Sequence, residues 1–129
     1  MIVVDSSVWI ANLRDLDIDA VRKLRSIDDP GEIMVGDLIL LEVLQGARDE
    51  RHAARIEQNL RQFRIERMFD DDLAVKAARH YRALRREGVT IRKTIDMIIA
   101  TFCLERGHAL LRDDRDFDPM ISRLGLKLF

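Results

Sequence analysis

The chain has 129 residues, and its 22 Lys and Arg residues nearly balance its 23 Asp and Glu residues, giving a formal net charge of −1. This balance excludes the globally basic composition of many nucleic-acid binders, so any nucleic-acid surface has to be local or its acids offset by metal. The single cysteine excludes an internal disulfide and a four-cysteine zinc site, and no apolar run is long enough to span a bilayer.

We expect one domain over residues 1–129, with a densely charged surface. Low-complexity tracts and internal repeats are absent, so the sequence indicates no linker. The N-terminus lacks the basic start and small-residue cleavage site of a secretory signal, which favours a cytoplasmic location without membrane contact.

The first predicted element is a strand over Ile2–Val4, buried on both faces because polar and apolar residues do not alternate. Asp5 stands at its carboxyl end, and Ser6 or Ser7 is expected to cap a helix over residues 8–13. Ligands of open α/β sheets bind outside the carboxyl ends of the strands, so Asp5 is a candidate site residue. The alternative is that Asp5 only forms the turn or caps the helix.

The next stretch places an acid on a helix that should be buried. Apolar spacing predicts a helix over residues 17–27, and a strand over residues 32–35 follows a break at Pro30-Gly31. The helix over residues 38–45 is apolar almost all round, which predicts burial on most sides, with Glu42 as the one ionisable group inside it. Glu42 therefore needs a cleft, a cation or, as the structural alternative, a salt bridge to an arginine.

The three acids at residues 70–72 are assigned to a helix start rather than to a metal site. Acids in that position accept from free N–H groups and complement the helix dipole. An amphipathic helix over residues 49–63 and a strand over residues 65–69 precede them, and their own helix runs to residue 87 before Gly88.

A second acid lies on a helix expected to be buried. Residues 94–104 are apolar on all sides, with Thr94 as the expected N-cap and Asp96 in the first turn. Dipole complementation is the alternative explanation for Asp96. A strand over Ala109–Leu111 then runs into a second group of acids that includes Asp114. Finally, we expect a short helix over residues 118–124 and an edge strand over residues 126–129.

Alternating strands and helices predict an α/β fold with a mostly parallel sheet of four to five short strands flanked by helices. The carboxyl ends of its strands share one edge, where Asp5, Glu42, Asp96 and Asp114 can meet. Clustered carboxylates repel, so a cation should offset them, and oxygen ligands favour Mg²⁺ or Mn²⁺. Such an ion suits phosphodiester hydrolysis. No P-loop is present, which argues against nucleoside triphosphate binding.

Four segments, taken together and in order, resemble the PIN-domain family, specifically the VapC-type toxins of bacterial VapBC toxin–antitoxin pairs. The resemblance covers essentially the whole chain. The segments are VVDSSVWI (residues 3–10), LEVLQG (41–46), IRKTIDMIIA (91–100) and LLRDDRDF (110–117).

The resemblance implies a PIN-like fold and a magnesium- or manganese-dependent endoribonuclease. It further implies a homodimer held inactive by a cognate VapB-type antitoxin, with DNA contacted only through that antitoxin. Asp5, Glu42, Asp96 and Asp114 match the family's acidic quartet. By this resemblance Asp5, Asp96 and Asp114 would bind the metal, and Glu42 would orient a water.

Other residues enter through the same resemblance. Ser7 would hydrogen-bond within the acid cluster, and Asp116 would support or substitute for Asp114. Arg112 departs from the pattern, because relatives often carry a small hydroxyl residue or His there, and it is a candidate RNA phosphate contact. Further candidates for phosphate contact, for which solvation or ion pairing is the alternative, are Arg86, Arg92 and Lys93.

Three other functions remain as alternatives. A haloacid-dehalogenase-type phosphatase needs a second Asp where Ser7 stands. A receiver-like signalling domain needs paired early acids and a late lysine that are not in place. The strongest rival is a catalytically inactive PIN-like module that binds RNA or protein, which the intact acidic quartet disfavours.

Overall fold

A computed structural model describes residues 1–129 and contains four strands and seven α-helices. The strands are β1 (Ile2–Val4), β2 (Ile33–Gly36), β3 (Arg64–Glu66) and β4 (Ala109–Leu111). The helices are α1 (Ser6–Leu13), α2 (Asp19–Arg25), α3 (Asp37–Gln45), α4 (Glu50–Leu60), α5 (Asp71–Arg86), α6 (Thr94–Arg106) and α7 (Asp118–Leu124). Two short 3₁₀ turns cover Pro30–Glu32 and Arg115–Phe117.

The four strands form one parallel sheet in the order β3-β2-β1-β4. Each parallel pair requires a crossover, and the helices between the strands supply it. The expected α/β class with a mostly parallel sheet is therefore confirmed. The fifth strand expected over residues 126–129 is reduced to a single parallel bridge between Leu110 and Leu128.

The core forms where apolar strands meet apolar helices. β1 and β2 are buried at every residue, as their unbroken apolar sequences predict. In α6, every residue from Asp96 to Cys103 is buried, so the prediction for this helix is confirmed. No helix is long and apolar enough to cross a membrane.

Helix α3 corrects one expectation, because it is not buried on most sides. Only Ile39 and Val43 are buried, and Leu41 is 54% exposed. The helix contacts α1, α4 and β2, which cover one side of it. Its apolar sequence alone does not reveal that the opposite side lies open.

The caps at the starts of α1 and α6 differ from the Ser and Thr caps expected there. The side chain of Asp5, rather than Ser6 or Ser7, caps α1 by accepting from the Ser7 N–H at 3.1 Å. At α6 the N-cap residue is Lys93 rather than Thr94, and no side chain caps the helix. By contrast, Asp70 caps α5 by accepting from the Leu73 N–H at 2.8 Å, as its assignment to a helix start predicts.

Candidate metal centre

Four elements bring acids to the carboxyl edge of the sheet. Asp5 directly follows β1, and Asp114 lies in the loop after β4, the strand that pairs with β1. Glu42 projects from α3, and Asp96 lies in the first turn of α6. The parallel pairing of β1 with β4 makes Asp5 and Asp114 neighbours although they are distant in sequence.

Asp5 is the most enclosed of these acids, with 3% of its surface exposed. Its Oδ2 accepts from the Ser7 hydroxyl at 2.6 Å and from the Ser7 N–H at 3.1 Å. The Ser7 hydroxyl oxygen in turn accepts from the Asp113 N–H at 3.3 Å. Burial raises the pKa of Asp5, and these hydrogen bonds partly offset the effect. Ser7 therefore fixes one carboxylate oxygen and links β1 to the loop after β4.

Asp96 is 5% exposed, and its Oδ2 is buried without a hydrogen-bond partner. Burial, followed by the negative charge of Asp5, raises the pKa of Asp96 to about 7. The charge of Lys93 opposes this shift, while Asp114 and Glu42 add to it. A buried carboxylate oxygen without a hydrogen-bond partner lowers the stability of the folded state. A cation bound to this oxygen would offset that effect.

Glu42 shares this environment from the side of α3. Its Oε1 is buried and has no partner, and no arginine salt bridge involves Glu42. Burial and then the charge of Asp5 raise the pKa of Glu42. The arginine pairing weighed as an alternative for Glu42 is therefore absent.

Lys93 brings a positive charge into the acids. Its Nζ donates to Asp114 Oδ2 at 2.8 Å and lies 3.4 Å from Asp116 Oδ2. The hydrogen bond to Asp114 raises the pKa of Lys93 above its ordinary value. Burial alone would raise the pKa of Asp114. Asp114 also accepts hydrogen bonds from Lys93 and, at 2.9 Å, from the Asp116 N–H, and these lower its pKa below the ordinary value.

The acids fit a hard divalent cation. One carboxylate oxygen from each of Asp96, Asp114 and Asp116 lies within 4.8 Å of the other two. Ligands that are all oxygens suit Mg²⁺ or Mn²⁺ rather than zinc. The chemistry of these donors therefore supports a metal centre.

Asp116 lies with Asp96 and Asp114 in this three-acid group, where it can support or substitute for Asp114. Asp5 lies close to this group, since its negative charge raises the pKa of Asp96, and Ser7 holds one of its carboxylate oxygens. The alternation of acids in Asp114-Arg115-Asp116 is the sequence signal for this arrangement, because the 3₁₀ turn over Arg115–Phe117 directs both acids to one side.

The candidate phosphate-binding residues have different surroundings. Arg92 is 83% exposed and lies 3.6 Å from Asp116, whereas Arg112 is drawn into a 2.6 Å ion pair with Asp118 of α7. Arg86 is exposed at the end of α5. Arg115 was not singled out from the sequence, although it lines a pocket of about 130 Å³ together with Arg92 and Asp116. Its position inside the acidic segment is the signal that could have identified it.

Comparisons with known proteins agree with this architecture. The family model described as PIN domain matches residues 2–120. Ribonuclease VapC11 of Mycobacterium tuberculosis is 30% identical over 127 residues, which cover 96% of this chain and 93% of that protein.

Two solved structures share the fold. VapBC2 from Rickettsia felis, bound to a DNA fragment from its promoter, has a TM-score of 0.77 at 15% identity, covering 100% of this chain and 98% of that one. A toxin–antitoxin complex from Klebsiella pneumoniae has a TM-score of 0.70 at 17% identity, covering 91% and 90%. Because the family model matches residues 2–120 of the 129 residues, the chain belongs to the PIN-domain family.

Proposed function

We propose that this protein is a metal-dependent endoribonuclease that hydrolyses RNA phosphodiester bonds. The observation that carries the proposal is the gathering of Asp5, Glu42, Asp96 and Asp114 at one sheet edge, with buried carboxylate oxygens left unpartnered. Mutually repelling buried acids lower stability unless a cation offsets them, so their arrangement favours function over folding. The likeness to ribonuclease VapC11 supports RNA as the substrate.

The ion would be Mg²⁺ or Mn²⁺, held by Asp5, Asp96 and Asp114, with Asp116 beside them. When bound, it would stabilise negative charge on the phosphate and make a water more acidic. Glu42, whose Oε1 is free, would orient the attacking water and accept its proton. Hydrolysis then forms one bond from phosphorus to the water oxygen and breaks one ester bond.

Basic residues near the acids would hold the substrate by its phosphates. Arg92 and Arg115 line a pocket together with Asp116, and Arg86 lies at the end of α5. Contacts to phosphate position a strand without reading its sequence, so they suit an RNA-cleaving site. We do not include Arg112, because its ion pair with Asp118 occupies it.

We further propose a toxin held inactive by a cognate antitoxin protein and acting in the cytoplasm as a homodimer. The support is the likeness to ribonuclease VapC11 and to a toxin–antitoxin complex. Because the Rickettsia complex is bound to promoter DNA, DNA contact through the antitoxin is also part of the proposal. An inactive RNA- or protein-binding module is less favoured, since such a module has no need for the four acids.

The test is cleavage of end-labelled single-stranded RNA by metal-stripped protein after addition of Mg²⁺ or Mn²⁺. We expect Asp5→Asn and Asp96→Asn to lower the rate by about 100-fold or more, equivalent to about 3 kcal/mol of lost transition-state stabilisation. Asp28→Asn is the matched control, because Asp28 is an exposed loop acid away from the strand ends.

Cleavage that survives EDTA, or that persists in both site variants, would contradict the proposed metal centre. Co-purification of the tagged chain with a small DNA-binding protein that suppresses cleavage would support the toxin–antitoxin assignment.

A further inference from the structure

Lys93 places its charged group against two acids of the candidate metal centre, whereas Arg92 contacts one of them. The lysine Nζ contacts Asp114 and Asp116, two of the three acids whose oxygens form the candidate metal centre. We propose that Lys93 is a built-in cation that takes the place of a divalent ion at Asp114 and Asp116 in the metal-free protein and leaves them when an ion binds. This inference rests on the proposed metal centre.

The acids are unequally neutralised, which is the first support. Asp114 and Asp116 receive hydrogen bonds or ion pairs from Lys93, whereas Asp96 Oδ2 and Glu42 Oε1 have no partner. The lysine therefore satisfies only the outer part of the cluster. A divalent ion bound at Asp96 can also take oxygens of Asp114 and Asp116, because one oxygen from each lies within 4.8 Å of the other two.

Competition follows from the distances. Oxygen ligands of Mg²⁺ lie at about 2.1 Å from the ion. The Lys93 ammonium lies 2.8 Å from Asp114 and 3.4 Å from Asp116. If Mg²⁺ bound the same carboxylates, the ammonium would be in close contact with a doubly charged ion. Like charges at such a separation repel strongly in a partly buried site. The lysine and the ion therefore exclude one another from Asp114 and Asp116.

The chain allows Lys93 to move without disturbing the acids. Its side chain is 55% exposed and ends in a flexible four-carbon stem. Its backbone is anchored, because the Lys93 carbonyl accepts from the Asp96 N–H at 3.1 Å at the start of α6. Only the side chain needs to swing outward, so that α6 and Asp96 stay in place.

The direct experiment measures how fast each lysine amine is acetylated by a limiting acylating reagent, with peptides quantified by mass spectrometry. Mg²⁺ should increase the labelling of Lys93 severalfold, because its amine loses its hydrogen bonds to carboxylates. Lys76 is the internal reference, since it pairs with Glu105 at 2.8 Å on the α5–α6 surface. Unchanged labelling of Lys93 in protein that has bound Mg²⁺ would overturn the inference.

A second measurement determines Mn²⁺ affinity by electron paramagnetic resonance in the absence of RNA. Lys93→Met should bind Mn²⁺ more tightly by about fivefold, which corresponds to the loss of an ion pair of about 1 kcal/mol. Lys76→Met removes the same charge and one ion pair elsewhere, so its affinity should match the wild type.

The outcomes separate this inference from the proposed function. If no Mn²⁺ binds to the wild type, the metal centre and the role of Lys93 both fail. If Mn²⁺ binds and Lys93→Met weakens it, Lys93 holds the acids in place for the ion instead of competing with it. In that case only the role of Lys93 is overturned.

Discussion

The buried carboxyl of Asp96 should make the stability of the metal-free protein depend on pH. Burial and neighbouring acids raise its pKa from 3.8 to about 7. Well below pH 3.8 this carboxyl is protonated in both the folded and the unfolded chain, so it does not change the free energy of unfolding. Between pH 4 and pH 7 the unfolded chain releases the proton while the folded chain keeps it, so folding stability falls as pH rises.

The size of this effect follows from the shift. About three pKa units at 1.36 kcal/mol each give a total loss of about 4 kcal/mol above pH 7. Asp96→Asn resembles the permanently protonated form and avoids the loss. The free energy of unfolding of the variant minus that of the wild type should therefore increase by about 2–3 kcal/mol as the pH rises from pH 5 to pH 7.5. The Asp96→Asn change also removes the repulsion between Asp96 and the carboxylates of Asp5 and Glu42. This further raises the free energy of unfolding of the variant.

Urea denaturation in EDTA at several pH values measures this gain, with Asp28→Asn as the control for net charge. Adding Mg²⁺ should stabilise the wild type but not Asp96→Asn, since a ligand that binds only the folded state raises its stability. A difference between Asp96→Asn and wild type that is the same at pH 5 and pH 7.5 would refute the reasoning. It would mean that the Asp96 carboxylate is fully compensated within the protein.

Three further outcomes are expected from other positions. Ser7→Ala should lower the free energy of unfolding by about 1–3 kcal/mol and weaken Mn²⁺ binding, because the Asp5 carboxylate loses the 2.6 Å hydrogen bond from the Ser7 hydroxyl. Unchanged Mn²⁺ binding would contradict this expectation. Gly36→Ala should cost about 1–3 kcal/mol in thermal unfolding, since a Cβ would lie 2.6 Å from Met68 Cγ. A double variant with Met68→Ala should then cost less than the sum of its single changes. Asp70→Ala should cost about 1 kcal/mol of stability as a lost N-cap, with Mn²⁺ affinity unchanged if residues 70–72 are no metal site.

Local chemistry made much of this protein predictable from its sequence. The apolar run of β1 predicts a buried strand, and the unbroken apolar sequence of α6 predicts a buried helix with Asp96 near its start. Breakers such as Pro30 and Gly107 mark the ends of elements within a few residues. These features depend on neighbours in the chain, so patterns of polarity and backbone preference report them.

Errors arose where the decisive contact lies outside the local sequence. Helix α3 leaves Leu41 exposed because no element covers that side. The edge strand over residues 126–129 shrinks to a single bridge at Leu128. In each case the sequence gives the propensity, whereas the neighbouring elements decide how much of it is realised.

The sequence by itself determined which acids follow strands and which lie within strongly apolar helical segments. Only the tertiary structure decided that β1 lies between β2 and β4, which makes Asp5 and Asp114 neighbours, and that Lys93 points at Asp114 and Asp116. The physical reason is that strand order and the direction of a flexible charged side chain are set by contacts between distant segments. No local pattern in the chain encodes such contacts directly.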